Sequence, residues 1–75
     1  MEGIVKRVVP AKAFGFILGT DGKDYFFHSS GLNGFYDDLV EDLDQGKKIV
    51  VNFDPISSAK GLRAANVTRV DNGVG

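Results

Sequence analysis

The 75-residue chain has no cysteine, no tryptophan, two prolines and a single histidine. Without thiols there are no disulfides, thiolate metal sites or cysteine nucleophiles, a composition that suits a reducing compartment. One imidazole, His28, cannot build a multi-histidine metal centre. Long apolar runs are also missing, since nothing approaches the roughly 18 to 20 residues that a membrane-spanning helix needs. The opening run Met1-Glu2-Gly3-Ile4-Val5-Lys6-Arg7 carries no secretory-signal pattern. A cytoplasmic protein with no membrane association is therefore expected. A chain this short buries only about 60% of the surface its unfolded form exposes. That is enough for one domain and one modest core, and too little for large catalytic scaffolds.

What is present is uneven. The formal net charge is −1, which by itself argues against a nucleic-acid partner. Yet five of the ten acids (Asp37, Asp38, Glu41, Asp42 and Asp44) fall between positions 37 and 44. The remaining chain sets nine basic residues against five acidic ones, a balance of +4. Lys6, Arg7 and Lys12 cluster early, and Lys60, Arg63 and Arg69 late. Binding depends on patches rather than on the sum. On charge alone, a solvated surface with one acidic loop fits at least as well.

Period-two patterning dominates and predicts an all-β chain. Strands are expected over residues 3–9, 13–19, 24–28, 47–53 and 62–70. Asp21-Gly22 is a hairpin signal between the second and third. The fourth is expected to end at Asp54-Pro55, with a polar loop over 57–61. Between the third and fourth strands, residues 35–46 suit either a short helix, with Leu39, Val40 and Leu43 on one face, or an ordered loop closed by Gly46. Five short strands favour a small closed barrel, because closure removes exposed edges. The domain is expected to span residues 1–70, with 71–75 as a fraying tail.

Alternation separates two sets of aromatic side chains. Ile17, Tyr25 and Phe27 are expected inside with Val5, Ile49, Val51, Phe53 and Val67. Phe14, Phe16, Phe26 and His28 then fall together on the outside. A group of exposed aromatics marks a binding surface, and nucleobases fit it, since stacking contributes ~1–3 kcal/mol per base. The competing account places these phenylalanines under segment 35–46 as a second small core.

These residues resemble the cold-shock domain, a nucleic-acid-binding branch of the OB-fold proteins. That family's first ribonucleoprotein motif reads Lys-Gly-Phe-Gly-Phe-Ile, and this chain has Lys12-Ala13-Phe14-Gly15-Phe16-Ile17. The second motif, Val-Phe-Val-His-Phe, is matched by Tyr25-Phe26-Phe27-His28-Ser29. Ala64-Ala65-Asn66-Val67-Thr68 also follows family usage. The resemblance covers residues 2–70 and implies a five-stranded antiparallel barrel that binds single-stranded RNA or DNA, in the manner of an RNA chaperone or antiterminator. It assigns stacking to Phe14, Phe16, Phe26 and His28, a backbone-facing cation to Lys12, and a further aromatic to Phe35 or Tyr36. Lys6, Arg7, Lys60 and Arg63 complete the expected set of nucleic-acid contacts.

Two departures stand out. The family usually carries Trp-Phe late in its first strand, where this chain has Arg7-Val8, and Ser29 replaces a Phe. A smaller platform is expected, with Arg7 able to stack through its guanidinium or pair with phosphate. The acidic segment 37–44 is longer and more charged than the usual loop. It is expected either to restrain binding by repelling a phosphate backbone or only to keep a loop soluble or cap a short helix.

Catalysis is not expected. Ser29 and Ser30 adjoin His28, but neighbours along a strand point apart, and no acid is placed to orient the imidazole. The acidic run lacks the calcium-loop pattern. No cofactor and no metal are implied, and a monomer is expected. A protein-interaction module that docks a partner through the phenylalanines is the alternative from a different class.

Overall fold

The computed structural model describes residues 1–70; the expected tail at 71–75 lies outside the described residues. Six strands form one sheet: β1 (Glu2–Val9), β2 (Phe14–Gly19), β3 (Asp24–His28), the two-residue β4 (Leu32–Asn33), β5 (Val50–Ser58) and β6 (Gly61–Arg69). One helix, α1 (Tyr36–Asp44), stands between β4 and β5. The strand order is β3-β2-β1-β5-β6-β4, and a β3–β6 pairing closes the sheet into a barrel. The five long strands are those expected, β4 being a two-residue addition. Pairing is antiparallel except at the closure, where Phe26 meets Arg63, and along β4, where Leu32 meets Val67; both are parallel. This is an all-β barrel of the OB type.

All eight side chains expected inside are buried: Val5, Ile17, Tyr25, Phe27, Ile49, Val51, Phe53 and Val67. Leu32, Leu39 and Ala64 join them. Gly15 is needed where β2 crosses this core, because a Cβ there would lie 2.7 Å from the Phe27 ring and 2.7 Å from the Arg7 carbonyl oxygen.

The open choice over 35–46 resolves to a helix. Leu39 is fully buried and seats it. Asp37 and Asp38 in the first turn favour its N-terminus. Gly46 ends it at φ +80°, with its N–H on the Leu43 carbonyl at 2.9 Å.

Two expectations need correction. The fourth long strand does not stop at Asp54-Pro55, and residues 57–61 are not a loop: β5 runs to Ser58, and only Ala59 and Lys60 turn. The reason is one of direction. The Phe53 N–H points away from β6 to the Met1 carbonyl at 2.7 Å. Pro55, two residues on, faces the same way, where β5 has no further strand partner. A residue without an N–H loses nothing on that edge.

Candidate nucleic-acid interface

The outer surface is set by a bulge that alternation cannot show. β1 pairs Val5 with Ile17 and then Arg7 with Phe16, so Lys6 is an extra residue. Strict alternation from buried Val5 would turn Arg7 inward. The bulge re-aims it, and both Lys6 and Arg7 are exposed.

Register then lines up side chains across four further positions. Arg7 pairs with Phe16, Phe16 with Phe26, Phe26 with Arg63, and Arg63 with Ile56. One transverse row results: cation, ring, ring, cation, aliphatic. The Arg7 guanidinium lies 5.0 Å from the Phe16 ring centre, and that of Arg63 5.4 Å from the Phe26 ring centre. Both are within cation–π reach. Phe14 packs against both rings, at 5.8 Å from Phe16 and 5.1 Å from Phe26, and Phe16 and Phe26 are 6.0 Å apart. The three rings are only partly covered. They form a tilted and edge-to-face cluster that holds its shape from within.

His28 sits opposite Phe14 in the ladder and is exposed. Its Nδ1 accepts the Ser30 N–H at 3.1 Å, capping the turn Ser29–Gly31. In the neutral ring the proton is therefore on Nε2, which remains available as a donor. Lys12 ends the turn Pro10–Lys12 and is exposed. Ala13, which follows it, takes the left-handed conformation at φ 58°, where the resembled motif has Gly.

Phe35 and Tyr36 part company. Phe35 is 79% exposed at the start of α1. Tyr36 is packed against the core, and its hydroxyl donates to the Phe14 carbonyl at 2.7 Å. Burial pushes its phenol above the ordinary value. Tyr36 thus braces the backbone beneath a ring of the cluster, while Phe35 is the free aromatic.

A groove beside the row is lined by Lys6, Arg7, Phe16, Asp24, Phe26, Lys60 and Leu62. Lys60 is thereby brought to the same place as the early cations, 53 to 54 positions away in sequence. Lys6 is shared with Asp24 at 3.2 Å. That exposed pair contributes little to stability, but it occupies part of the lysine's charge. Asp24, Leu62 and Ile56 were not singled out from the sequence. Asp24 begins the aromatic strand and was readable as its neighbour; Ile56 enters only through register.

Across the helix, Asp42 bonds the Arg69 guanidinium at 2.9 Å and Lys47 at 3.5 Å. The hydrogen bond from Arg69 is the main cause holding its carboxyl below the ordinary value. Asp44 shares a second groove with Lys6, Arg7 and Val8. No group of carboxylates and imidazoles suited to a metal ion occurs among the described residues, and none of their helices is long and apolar enough to cross a membrane.

A closed OB-type barrel that carries rings and guanidinium groups in register on its outer face has the features of a nucleic-acid-binding domain. The chain belongs to the cold-shock domain family: residues 1–70 match the 'Cold-shock' DNA-binding domain. It is 39% identical over 70 residues to cold shock-like protein CspC of Bacillus cereus, covering 93% of this chain and all of that one. Cold shock protein 1 of Lactiplantibacillus plantarum is 43% identical over 66 residues, covering 88% of this chain and 92% of the relative. Cold shock-like protein CspB of Escherichia coli is 40% identical over 72 residues, 95% of this chain and 94% of the relative.

Proposed function

We propose that this protein binds single-stranded RNA or DNA by stacking bases on Phe14, Phe16 and Phe26, with Arg7, Arg63, Lys12 and Lys60 meeting the backbone. The observation that carries the reading is the in-register row from Arg7 through Phe16 and Phe26 to Arg63. Rings stack any base, and guanidinium groups at either end meet phosphate, so recognition is tolerant of sequence. His28 and Phe35 extend the stacking surface. Such tolerant, reversible binding suits an RNA chaperone that keeps transcripts open.

Titration of labelled homopolymeric single strands, with a duplex as control, tests this. Saturable binding to single strands is expected, with the duplex much weaker. Not all four cations can reach one strand at once, and two or three simultaneous phosphate contacts predict a slope of log K against log salt of roughly −1.4 to −2.1. A folded protein that binds no single strand would end the reading and favour a protein partner for the same surface.

A further inference from the structure

The row of paired side chains does not stop at the rings. Beyond Phe26 it crosses the barrel closure to Arg63 on β6 and then reaches Ile56 on β5. Ile56 is 45% exposed, although it sits mid-strand in the barrel wall. Single exposed aliphatics are common, so exposure alone means little. Two further observations give this one significance. It lies in register with the rings, so it faces the side they face. It also shares one groove with His28, Ser30, Ser58 and Arg63.

That groove joins the ring cluster at His28 and Arg63, residues that belong to both. Arg63 carries the only full charge among the described residues lining it, and no carboxylate lines it. The His28 Nε2–H is available there as a donor. The Ser58 hydroxyl donates to the Gly61 carbonyl at 2.8 Å and the Ser30 hydroxyl lies 3.0 Å from His28 Nδ1, so each leaves its oxygen as an acceptor. An aliphatic surface with one guanidinium, one imidazole N–H and two hydroxyl oxygens suits a base attached to a phosphate. It is poorly suited to a cation.

We propose that the platform continues over the β3–β6 closure onto β5, where Ile56 and Arg63 form a subsite for one more nucleotide of the same bound single strand. The base lies on Ile56, and Arg63 meets the adjoining phosphate or base edge. This inference rests on the single-strand reading above. It adds a part of the barrel wall that neither ribonucleoprotein motif includes.

The test uses the full chain and thymidine and uridine homopolymers from about three to nine nucleotides, a span around the lower site sizes of OB barrels. Affinity is plotted against length for wild type, Ile56→Ala, Ile56→Phe, Phe26→Ala and the control Ile4→Ala. Ile4 is an exposed aliphatic of β1 that pairs with Leu18 and Val50, away from the row. In wild type, one increment of affinity should come with the nucleotide that reaches β5. Ile56→Ala should lose that increment, about threefold to tenfold, and Ile56→Phe should enlarge it by supplying a ring. Ile4→Ala should follow wild type. Ile56→Phe keeps a β-favouring residue, so the test survives if the alanine variant folds poorly.

Length curves for both Ile56 variants that follow wild type, while Phe26→Ala weakens binding at every length, would overturn the extension and leave the ring platform standing. Wild type silent at every length would remove both.

Discussion

The β2–β3 hairpin shows two aromatic faces made by the same ten or so residues. Toward the core, Ile17, Tyr25 and Phe27 are at most 4% exposed. Away from it, Phe14, Phe16 and Phe26 keep part of their surface open and make ring contacts mainly with one another. Hydrophobicity does not separate these sets, because each is as apolar as the other. Closure of the barrel does, since it has one inside. The inner set is committed to stability. The outer set stays partly exposed, with the Arg7 guanidinium over the Phe16 ring and that of Arg63 over the Phe26 ring. The outer rings are held at the surface by packing on one another and by two guanidinium groups, and are only partly covered.

The largest effect that could break this comparison is a single ring deleted from each face. Phe27→Ala should cost ~3–5 kcal/mol of stability, the range for a buried phenylalanine. A domain this size has roughly 4 to 11 kcal/mol in total, so that loss leaves it marginal or unfolded. Phe26→Ala, one residue away, should cost about 1 kcal/mol or less in stability and weaken single-strand binding by ~1–3 kcal/mol. Chemical denaturation and oligonucleotide titration of the two variants decide. Equal destabilisation, with binding retained in the folded Phe26 variant, would make both faces core.

A smaller effect separates stability from binding in the opposite direction. Ala13 holds φ 58° just before Phe14, in a region that costs a side-chain-bearing residue ~1–2 kcal/mol. Ala13→Gly relieves that strain and restores the residue found in the resembled motif. The gain is expected to be about 1 kcal/mol, because glycine also frees the unfolded chain. Thermal unfolding should show a higher midpoint with affinity little changed. A lower midpoint would mean that the left-handed turn is not strained here.

Much of this was legible in advance. The core of eight side chains followed from alternation, because period two assigns a face to each residue once one is fixed. The aromatic set was legible for the same reason. Three features were not. The Lys6 bulge breaks alternation, and only pairing with β2 shows that Arg7 turns outward. Pro55 stops a strand in the sequence pattern but not in the barrel, because its edge has no partner. Ile56 lies in a stretch of weak alternation, and what distinguishes it is register with a strand that closes the barrel from the far end of the chain. Each miss is a matter of strand pairing, which one strand's pattern does not contain.

Charge supplies two smaller effects, both from α1. Asp42 is held below its ordinary value of 3.8 in the fold, chiefly by its hydrogen bond from Arg69. A depressed carboxylate stabilises the fold above its unfolded value, and the contribution disappears as pH falls through the folded value. The unfolding midpoint of wild type should therefore exceed that of Asp42→Asn near neutrality, and the two should converge as pH drops below about 4. Parallel curves through the acid range would mean that the Arg69 contact does not anchor the helix.

The smallest expected effect concerns Asp44. It shares a groove with Lys6 and Arg7 at the β1 end of the row, so on the proposed reading its charge would oppose a phosphate approaching Arg7. Asp42 is already paired with Arg69 and Lys47. Asp37 and Asp38 favour their own helix N-terminus. Asp44, near the C-terminus of α1, has the dipole against it and the proposed binding face beside it. Asp44→Asn should tighten single-strand binding about twofold at low salt. The gain should fade as the Debye length falls from ~10 Å at 0.1 M toward ~3 Å at 1 M. Asp37→Asn serves as the counterpart: it should lower the unfolding midpoint slightly and leave affinity as it was. If Asp44→Asn leaves affinity unchanged at low salt, the acidic helix is only a solvated cover on the barrel. The outer face is then governed by its rings and two arginines alone.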